Sequence, residues 1–247
     1  LYLTKYDLLL QLDGKKSSYF CSTIVNSNIK AGLIFFKNKK ILNNLSIVKR
    51  PNPLISKFFT YLEPCIEDYQ ISNNIDYHYL NLYFNILKRI NLKIYSKNHY
   101  LPYNEINNQK FKNYLHIHID ERWEKFDNIF FVNFVDKINN LSNTNKIIVT
   151  SNFNGNKFYF DIMDEFKSND NFLFKDKVSI EGLLNIIFYS QTVLSSHSGF
   201  IVHAAAAFQK NIIDLVPKNI NNELNRWVPH NISYKRFNSE NLSKLFI

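Results

Sequence analysis

Between residues 114 and 216 the chain alternates apolar runs of strand length with longer amphipathic segments. The pattern predicts strands at residues 114–119, 146–150, 172–174, 192–195 and 211–216. It predicts helices between them at residues 127–139, 157–166, 179–190 and 200–208. Strands that are apolar throughout are typical of a parallel sheet covered by helices on both faces. The sequence therefore predicts an α/β fold with a doubly wound parallel sheet, in which ligands bind beyond the carboxyl ends of the strands.

The first third of the chain is less regular. It predicts strands at residues 6–12 and 31–36, and helices at 17–28 and 77–90. Residues 37–69 are interrupted by Pro51, Pro53 and Pro64 and predict no element. The polar stretch 96–112 is the candidate linker, which gives an N-terminal domain at residues 1–105 and a C-terminal domain at 106–247. A final helix is predicted at residues 239–246.

The formal net charge of +9 is spread along the chain without the dense basic run of a nucleic-acid-binding arm. This charge is either that of a generic solvated surface or one that attracts the protein to anionic lipid or to a phosphorylated substrate. Cys21 and Cys65 are far apart, which excludes a disulfide framework and a thiolate zinc site and suits a reducing compartment. No apolar run approaches the ~18 residues that span a bilayer.

Residues 192–216 carry the most informative pattern. A strand is followed by the polar turn Ser196-His197-Ser198-Gly199, a helix rich in small residues that contains His203, and a second strand. The start of a helix presents unpaired N–H groups and a partial positive charge, which suits a phosphate. Gly199 allows close approach of the backbone, and Ser196 and Ser198 offer hydroxyl donors. The alternative is an ordinary strand–turn–helix in which Ser198 caps the helix.

This segment resembles the motif N-D-S/T-G-x-x-H-x-A-A-A-x-G of glycosyltransferase family nine, the ADP-heptose:lipopolysaccharide heptosyltransferases. Ser198, Gly199, His203 and the alanines at 204–206 match it. His197 stands where the family has Asp, and one extra residue separates Gly199 from His203. The resemblance implies diphosphate contacts at Ser198 and Gly199 and a sugar or phosphate contact at His203. His197 is either a turn residue or a pH-dependent phosphate contact.

Upstream segments resemble the family in the same order. Residues 178–183 are similar to its segment T/M-S-L-x-E-L, which implies that Val178 lies near the nucleotide base and that Ser179 caps a helix. Residues 147–155 resemble the strand and loop V-V-L-x-G-G-P, which implies that Ser151 and Asn152 face the nucleotide.

Residues 118–126 resemble the family's K-R-W-P-x-E-x-F. Arg122 and Trp123 match, whereas Glu121 replaces Lys and Glu124 replaces Pro. The planar guanidinium of Arg122 suits a diphosphate; the alternative is an exposed arginine in a salt bridge. Residues 226–229 resemble the family's R-W-x-P loop.

The N-terminal residues 6–18 resemble Y-D-x-V-I-D-x-Q-G-x-x-x-S, and residues 30–32 resemble the R-x-G that follows it. The family's earlier strands, and the glycine loop that carries its acidic catalytic base, have no counterpart after Leu1. The expectation is therefore an N-terminal domain that is incomplete here, with the base upstream of Leu1, and no catalytic residue is assigned.

The resemblance implies a GT-B fold of two Rossmann-like domains and inverting transfer of a sugar, heptose being the family's best-known one. The donor would be a nucleotide-diphosphate sugar and the acceptor a cell-surface glycan or lipopolysaccharide-type lipid. No DxD motif occurs, so no metal and no cofactor besides the donor are expected. The expected location is the cytoplasm, with peripheral contact to an anionic inner membrane. Because Glu121 and His197 depart from the motifs, the alternative is a non-catalytic relative that binds nucleotide or glycan. Nucleic acid is not an expected partner, since the aromatic residues recur within apolar runs.

Overall fold

A computed structural model describes residues 4–41, 44–66, 78–96, 98–103, 111–151, 156–217, 228–229, 232–238, 241–242 and 245, with side chains except at 37–48 and 66. The chain divides into two compact units: unit 1 comprises residues 1–96 and 221–228, and unit 2 comprises residues 97–220 and 229–247. The first division falls inside the polar stretch 96–112. Within the described part of the chain, no helix has the length and apolar character needed to cross a membrane.

Unit 1 is built around one long strand. Its elements are β1 (Tyr6–Gln11), α1 (Lys16–Ile24), β2 (Ser27–Ile41), β3 (Asn44–Arg50), α2 (Pro53–Ser56), β4 (Tyr61–Ile66) and α3 (Tyr79–Arg89). Strand β2 pairs in parallel with β1 and β4 and forms an antiparallel hairpin with β3. Tyr19 of α1 and Ile86 of α3 pack on Leu33 of β2 in a buried core. The Tyr19 hydroxyl also donates a hydrogen bond to the Leu33 carbonyl, at 2.7 Å.

Two sequence predictions in unit 1 were wrong. The helix predicted at residues 17–28 ends at Ile24, because β2 already begins at Ser27. Residues 37–69, for which no element was predicted, contain β3, α2 and β4. Pro53 starts α2, since the first turn of a helix needs no donor there, and Asn52 caps it by accepting from the Ile55 N–H at 2.9 Å. Pro64 fits β4 because this strand pairs only with β2 among the described residues.

Unit 2 contains the doubly wound parallel sheet that the sequence predicts. Its elements are β5 (Leu115–Ile119), a 3-10 turn (Glu121–Lys125), α4 (Asn128–Ser142), β6 (Ile147–Ser151), α5 (Lys157–Phe166), β7 (Phe172–Asp176), α6 (Ile180–Tyr189), β8 (Thr192–Ser195), α7 (Gly199–Ala207), β9 (Asn211–Val216) and β10 (Tyr234–Asn238). The six strands run in parallel in the order β10-β9-β8-β5-β6-β7. With β5 counted as the first strand, this is the doubly wound order 3-2-1-4-5-6 of dinucleotide-binding folds.

Strand β10 was missed because its sequence, YKRFN, is polar. An edge strand of a sheet can be polar, whereas the central strands β5 and β6 are buried along their whole length. The helix predicted at residues 239–246 lies mostly outside the described residues. Leu242 and Leu245 are described, and both are buried in the unit 2 core.

Different helices cover the two faces of this sheet. On one face, α4 and α5 pack with Trp123 against β5 and β6 in an aromatic core. On the other face, α6 and α7 pack against β8 and β9 through aliphatic and alanine side chains. Asp127 caps α4 by accepting from the Phe130 N–H at 2.7 Å, and Ser179 caps α6 by accepting from the Gly182 N–H at 3.1 Å. The cap predicted at Ser179 is thereby confirmed.

Candidate functional site

The centre of the unit 2 sheet is a topological switch point. Strands β5 and β8 are hydrogen-bonded neighbours, but the chain leaves β5 toward α4 on one face and leaves β8 toward α7 on the other. Helices that diverge in this way leave a crevice at the carboxyl ends of the two strands, which is where doubly wound sheets bind their ligands. Two segments border it: residues 120–125 after β5 and residues 196–198 after β8.

The segment after β8 leaves the start of α7 open. Ser196 and Ser198 are buried, and Ser198 occupies the N-cap position without a hydrogen bond from its hydroxyl to the helix. The first N–H groups of a helix have no acceptor inside the helix. A Cβ built on Gly199 would meet nothing within 4 Å. The backbone at the start of α7 can therefore be approached closely from outside the helix.

His197 is held against a buried carboxylate. Its backbone N–H donates to Oδ1 of Asp214 at 2.6 Å, and its ring Nδ1 lies 2.7 Å from Oδ2 of the same side chain. Asp214 lies on β9 and is fully buried. His197 has a φ of 50°, a left-handed conformation that is uncommon for residues other than glycine and more frequent for Asn, Asp and His.

Strand β10 completes the surroundings of Asp214. The hydroxyl of Tyr234 donates to Asp214 Oδ2, and the guanidinium Nε of Arg236 lies 3.5 Å from that oxygen. Arg236 also donates from Nε and Nη2 to the Tyr234 hydroxyl oxygen, at 3.1 and 2.9 Å. Burial, reinforced by the charge of Asp214, raises the pKa of the Tyr234 hydroxyl far above its ordinary value. Tyr234 is therefore a permanent donor to Asp214.

Asp214, Tyr234 and Arg236 were not predicted as part of the candidate site. Asp214 offered a signal, because it is the only charged residue in the apolar run of residues 211–216. Tyr234 and Arg236 offered none, since their position depends on the pairing of β10 with β9.

Asp214 belongs to a polar row that crosses the sheet. The strand register places Thr150, His118, Ser195, Asp214 and Arg236 side by side on five neighbouring strands. Residues paired across neighbouring strands point to the same face of a sheet. Two residues nearer the amino ends on this face, the same strands carry Ile148, His116, Val193, Ile212 and Tyr234. On β5, β6 and β8 the row is therefore the last layer on this face before the carboxyl ends, directly beneath the switch point.

Two histidines in and below this row share one hydroxyl. His116 Nε2 and His118 Nδ1 lie 2.8 and 2.9 Å from the Oγ1 of Thr150. Burial lowers the pKa of His118 to about 4 and that of His116 well below 6.5, so both rings are neutral at neutral pH. The Oγ of Ser195 is buried and has no hydrogen-bond partner among the described residues. The row thus contains an unsatisfied polar atom beside the switch point.

The segment after β5 is fixed by its own contacts. Asp120 accepts from the backbone N–H of Arg122 at 3.1 Å and from its Nη1 at 2.6 Å. The same Nη1 lies 3.4 Å from Oε1 of Glu121. Trp123 is fully buried and donates from Nε1 to the carbonyl of His118 at 2.9 Å. Arg122 therefore stands at the crevice in an ion pair, with its side chain 40% exposed.

The other predicted residues fall into three groups. Ser151 is buried at the carboxyl end of β6, and Val178 is half-buried between β7 and α6. These two residues follow strands of the same sheet, so they share its carboxyl edge with Arg122 and the 196–199 turn. His203 lies on α7, where its ring stacks on His99 with His99 Nε2 and His203 Nδ1 3.1 Å apart. Asn152 lies outside the described residues, as do the predicted matches at 155, 226 and 227. Within the described ranges, no three His, Cys, Asp or Glu side chains are grouped as they would be around a metal ion.

No protein-family profile matches the sequence, and no curated protein matches it. Solved structures do match the fold. The glycosyl transferase family 9 protein from Veillonella parvula superposes with a TM-score of 0.65 at 12% sequence identity, over 99% of this chain and 67% of that one. Heptosyltransferase WaaC of E. coli with ADP gives a TM-score of 0.60 at 14% identity, over 98% of this chain and 69% of that one. A UDP-GlcNAc 2-epimerase from Methanocaldococcus jannaschii gives 0.51 at 12% identity, over 96% and 68%.

These matches place the chain in the GT-B class of folds, with α/β units built on parallel strands. The structural resemblance to glycosyltransferase family nine that the motifs predict is thereby confirmed at the level of the fold.

Proposed function

We propose that the chain binds a nucleotide-diphosphate sugar at the switch point of unit 2 and takes part in transferring its sugar to an acceptor hydroxyl. The observation that supports this most is the juxtaposition of the open start of α7 with the crevice between β5 and β8. N–H groups at a helix start in such a crevice suit a diphosphate. The structural likeness to heptosyltransferase and family 9 glycosyl transferase folds supports the same reading.

The roles follow from position. The N–H groups at Ser198 and Gly199, the Ser196 hydroxyl and the Arg122 guanidinium would stabilise the departing diphosphate. Ser151 is the last residue of β6, Asn152 comes next in the sequence, and Val178 comes shortly after β7. These three residues would contact the nucleoside. His203 would face the sugar or a phosphate.

The transfer would be inverting and independent of metal. A carboxylate would act as general base on the acceptor hydroxyl, and backbone N–H groups with Arg122 would balance the charge of the leaving group. A heptose donor and a lipopolysaccharide-type or other cell-surface glycan acceptor are the substrates that the motif resemblance favours. This chemistry would take place in the cytoplasm.

A second candidate is a non-catalytic relative that only binds nucleotide or glycan. Its support is the charge around Arg122, which is already engaged by Asp120 and by Glu121, the residue at the family's Lys position.

An anionic membrane is the proposed peripheral partner. Residues 4–66 contain ten Lys and Arg and three Asp and Glu, a net charge of +7 out of the +9 of the whole chain. In the same segment Phe20, Leu54 and Phe58 are exposed by 60, 71 and 56%. Phe20 lies on α1, Leu54 on α2 and Phe58 just after α2. The two segments are neighbours, since the rings of Tyr19 and Phe59 lie 6.1 Å apart. Exposed apolar residues within a basic surface suit an anionic lipid headgroup region.

The test is calorimetry on the whole chain with ADP, UDP, GDP and their sugar conjugates. Binding of at least one diphosphate, with weaker binding of the matching monophosphate, is expected. Release of the free diphosphate from a bound sugar conjugate would favour the transferase, and binding without release would favour the non-catalytic relative. A chain that is folded by circular dichroism and binds none of the panel would contradict the transferase and any nucleotide-binding relative.

A further inference from the structure

We propose that His197, oriented by Asp214, is the cationic hydrogen-bond donor that holds the diphosphate at the switch point. This inference rests on the proposed function and deepens it, because it assigns the charge that the diphosphate needs to the segment after β8. Asp214 acts through His197 and is a positioning residue.

The contacts of Asp214 select one orientation of the imidazole. Because Nδ1 faces Oδ2 of Asp214 at 2.7 Å, Nε2 is the ring nitrogen directed away from the carboxylate. A carboxylate on one ring nitrogen fixes the tautomer and makes the other nitrogen the one available to a ligand. The backbone N–H of His197 bonds the same carboxylate at 2.6 Å. Main chain and ring are thus held together, which sustains the left-handed backbone at this residue.

Asp214 and His197 differ in how far their side chains are buried. The side chain of Asp214 is fully buried, whereas that of His197 is 17% exposed. The Asp214 carboxylate therefore lies inside the sheet, whereas the His197 imidazole is partly exposed just before the start of α7. A structural ion pair has no need of an open end, whereas a ligand contact requires one.

A second observation marks the same place as a ligand site. The Oγ of Ser195, two residues before His197, is buried without a hydrogen-bond partner among the described residues, which is unfavourable unless a ligand supplies the partner. Next to His197 on the other side, Gly199 borders open space. An anion with several oxygens would satisfy such a set of donors.

The charges around the crevice explain why an imidazole is needed. On the β5 side, the one guanidinium of Arg122 is shared between Asp120 and Glu121. That segment brings more negative than positive charge to the crevice, which repels a diphosphate. A protonated His197 would restore a cation on the β8 side.

The charged and titratable groups packed against His197 come from two strands. Asp214 on β9 stabilises the protonated imidazole, and Arg236 on β10, 3.5 Å from Asp214, opposes it. Tyr234 on β10 donates a hydrogen bond to the Asp214 carboxylate.

The experiment measures ADP, UDP, AMP and UMP binding to the whole chain by calorimetry between pH 6 and 8.5. Diphosphate affinity of the wild type is expected to fall about tenfold over this range, as one charge-assisted hydrogen bond is lost, and monophosphate affinity to change less. His197→Asn tolerates the left-handed backbone and should bind diphosphate about tenfold more weakly at pH 6, with a flat pH profile. His197→Lys should restore the affinity without the pH dependence.

Asp214→Asn should flatten the profile in the same way while the His197 ring is still present. Gln209→Asn, at another left-handed residue at the far end of α7, is the control and should behave as the wild type. If His197→Asn keeps wild-type affinity and pH profile, this inference is overturned while the proposed function stands. If the wild type binds none of ADP, UDP, GDP and their sugar conjugates, the proposed function is contradicted and this inference with it.

Discussion

A Cβ placed on Gly32 would lie 2.6 Å from the backbone carbonyl oxygen of Gln11, its partner in the register of β1 and β2. The obstacle is main chain, so it cannot rotate away. We expect Gly32→Ala to lower the free energy of unfolding of unit 1 by about 2 kcal/mol or more, as overpacking does in a buried sheet. Urea denaturation followed by circular dichroism measures this.

Gly199→Ala is the matched control, because a Cβ there meets nothing within 4 Å. Its unfolding midpoint should stay within the error of the wild type. Equal stabilities for the two variants would show that β1 and β2 are not in contact at this point.

Asn156 joins α5 to the segment after β5. Its Oδ1 accepts from the Tyr159 N–H at 3.2 Å, and its Nδ2 donates to the Asp120 carbonyl at 2.8 Å. Asn156→Ala removes a helix cap and a buried hydrogen bond, and should destabilise unit 2 by about 2 kcal/mol. Asn156→Asp keeps the cap but not the donor, so its unfolding free energy should fall between those of the other two. A wild-type value for Asn156→Ala would refute the role of this contact.

The histidines below the switch point predict a pH dependence of stability. The folded state holds the pKa of His118 at about 4 and that of His116 lower than 6.5, so the unfolded chain binds more protons between about pH 4 and pH 6.5. The free energy of unfolding should therefore decrease as the pH falls through this window. The buried Asp120, whose pKa is raised, has the opposite effect.

Comparison with His118→Asn isolates the histidine contribution, because Asp120 is present in both proteins. The variant should lose roughly 1 kcal/mol per pH unit of the dependence, measured as urea midpoints at four pH values. Identical slopes for variant and wild type would mean that His118 is protonated in the folded state.

Arg122 is the guanidinium nearest the crevice on the β5 side. Arg122→Ala should weaken nucleoside diphosphate binding about tenfold, the scale of one charge-assisted contact. Calorimetry with ADP and UDP measures this, and Arg89→Ala, which removes an exposed guanidinium over the Tyr61 ring in unit 1, is the control. Unchanged affinity in a folded Arg122→Ala protein would remove Arg122 from the site and leave it as a salt-bridge residue.

The basic surface of unit 1 predicts binding to anionic vesicles. Replacing both Leu54 and Phe58 by Ser should weaken co-sedimentation with phosphatidylglycerol vesicles at least tenfold, since two exposed apolar side chains no longer enter the headgroup region. Added salt should weaken the wild type too. The control pair, Ile129→Ser with Val132→Ser on α4, alters residues that are equally exposed. Equal losses in both double variants would speak against a specific surface.

The central strands of unit 2 could be predicted because burial on both faces leaves only apolar residues in them. The same argument failed for β10 and for β3 and β4, whose composition is set by position at an edge or in a hairpin. Pro53 and Pro64 predict a break in secondary structure, but proline is compatible with the first turn of a helix and with a strand that has one described neighbour.

The position of the candidate site residues in the fold was predictable where it depends on strand order alone. Once the strands are parallel, Arg122, Ser151, Val178 and the 196–199 turn must share the carboxyl edge of the sheet. The partner of His197 was not predictable, because Asp214 becomes its neighbour only through the pairing of β8 with β9. His203 was assigned from a motif, and its stacking on His99 depends on a contact between residues far apart in the sequence.

The polar row beneath the switch point implies a conflict between heat tolerance and ligand recognition. Ser195 is buried and its hydroxyl has no hydrogen-bond partner among the described residues, so Ser195→Ala removes an unsatisfied polar atom. Laboratory evolution for thermostability alone would therefore be drawn to Ser195, and not to Thr150 or Asp214, whose replacement would leave the buried groups bonded to them unpaired. A screen for a higher melting temperature, run without any ligand, would thus identify binding residues as those at which a more stable variant no longer binds the ligand.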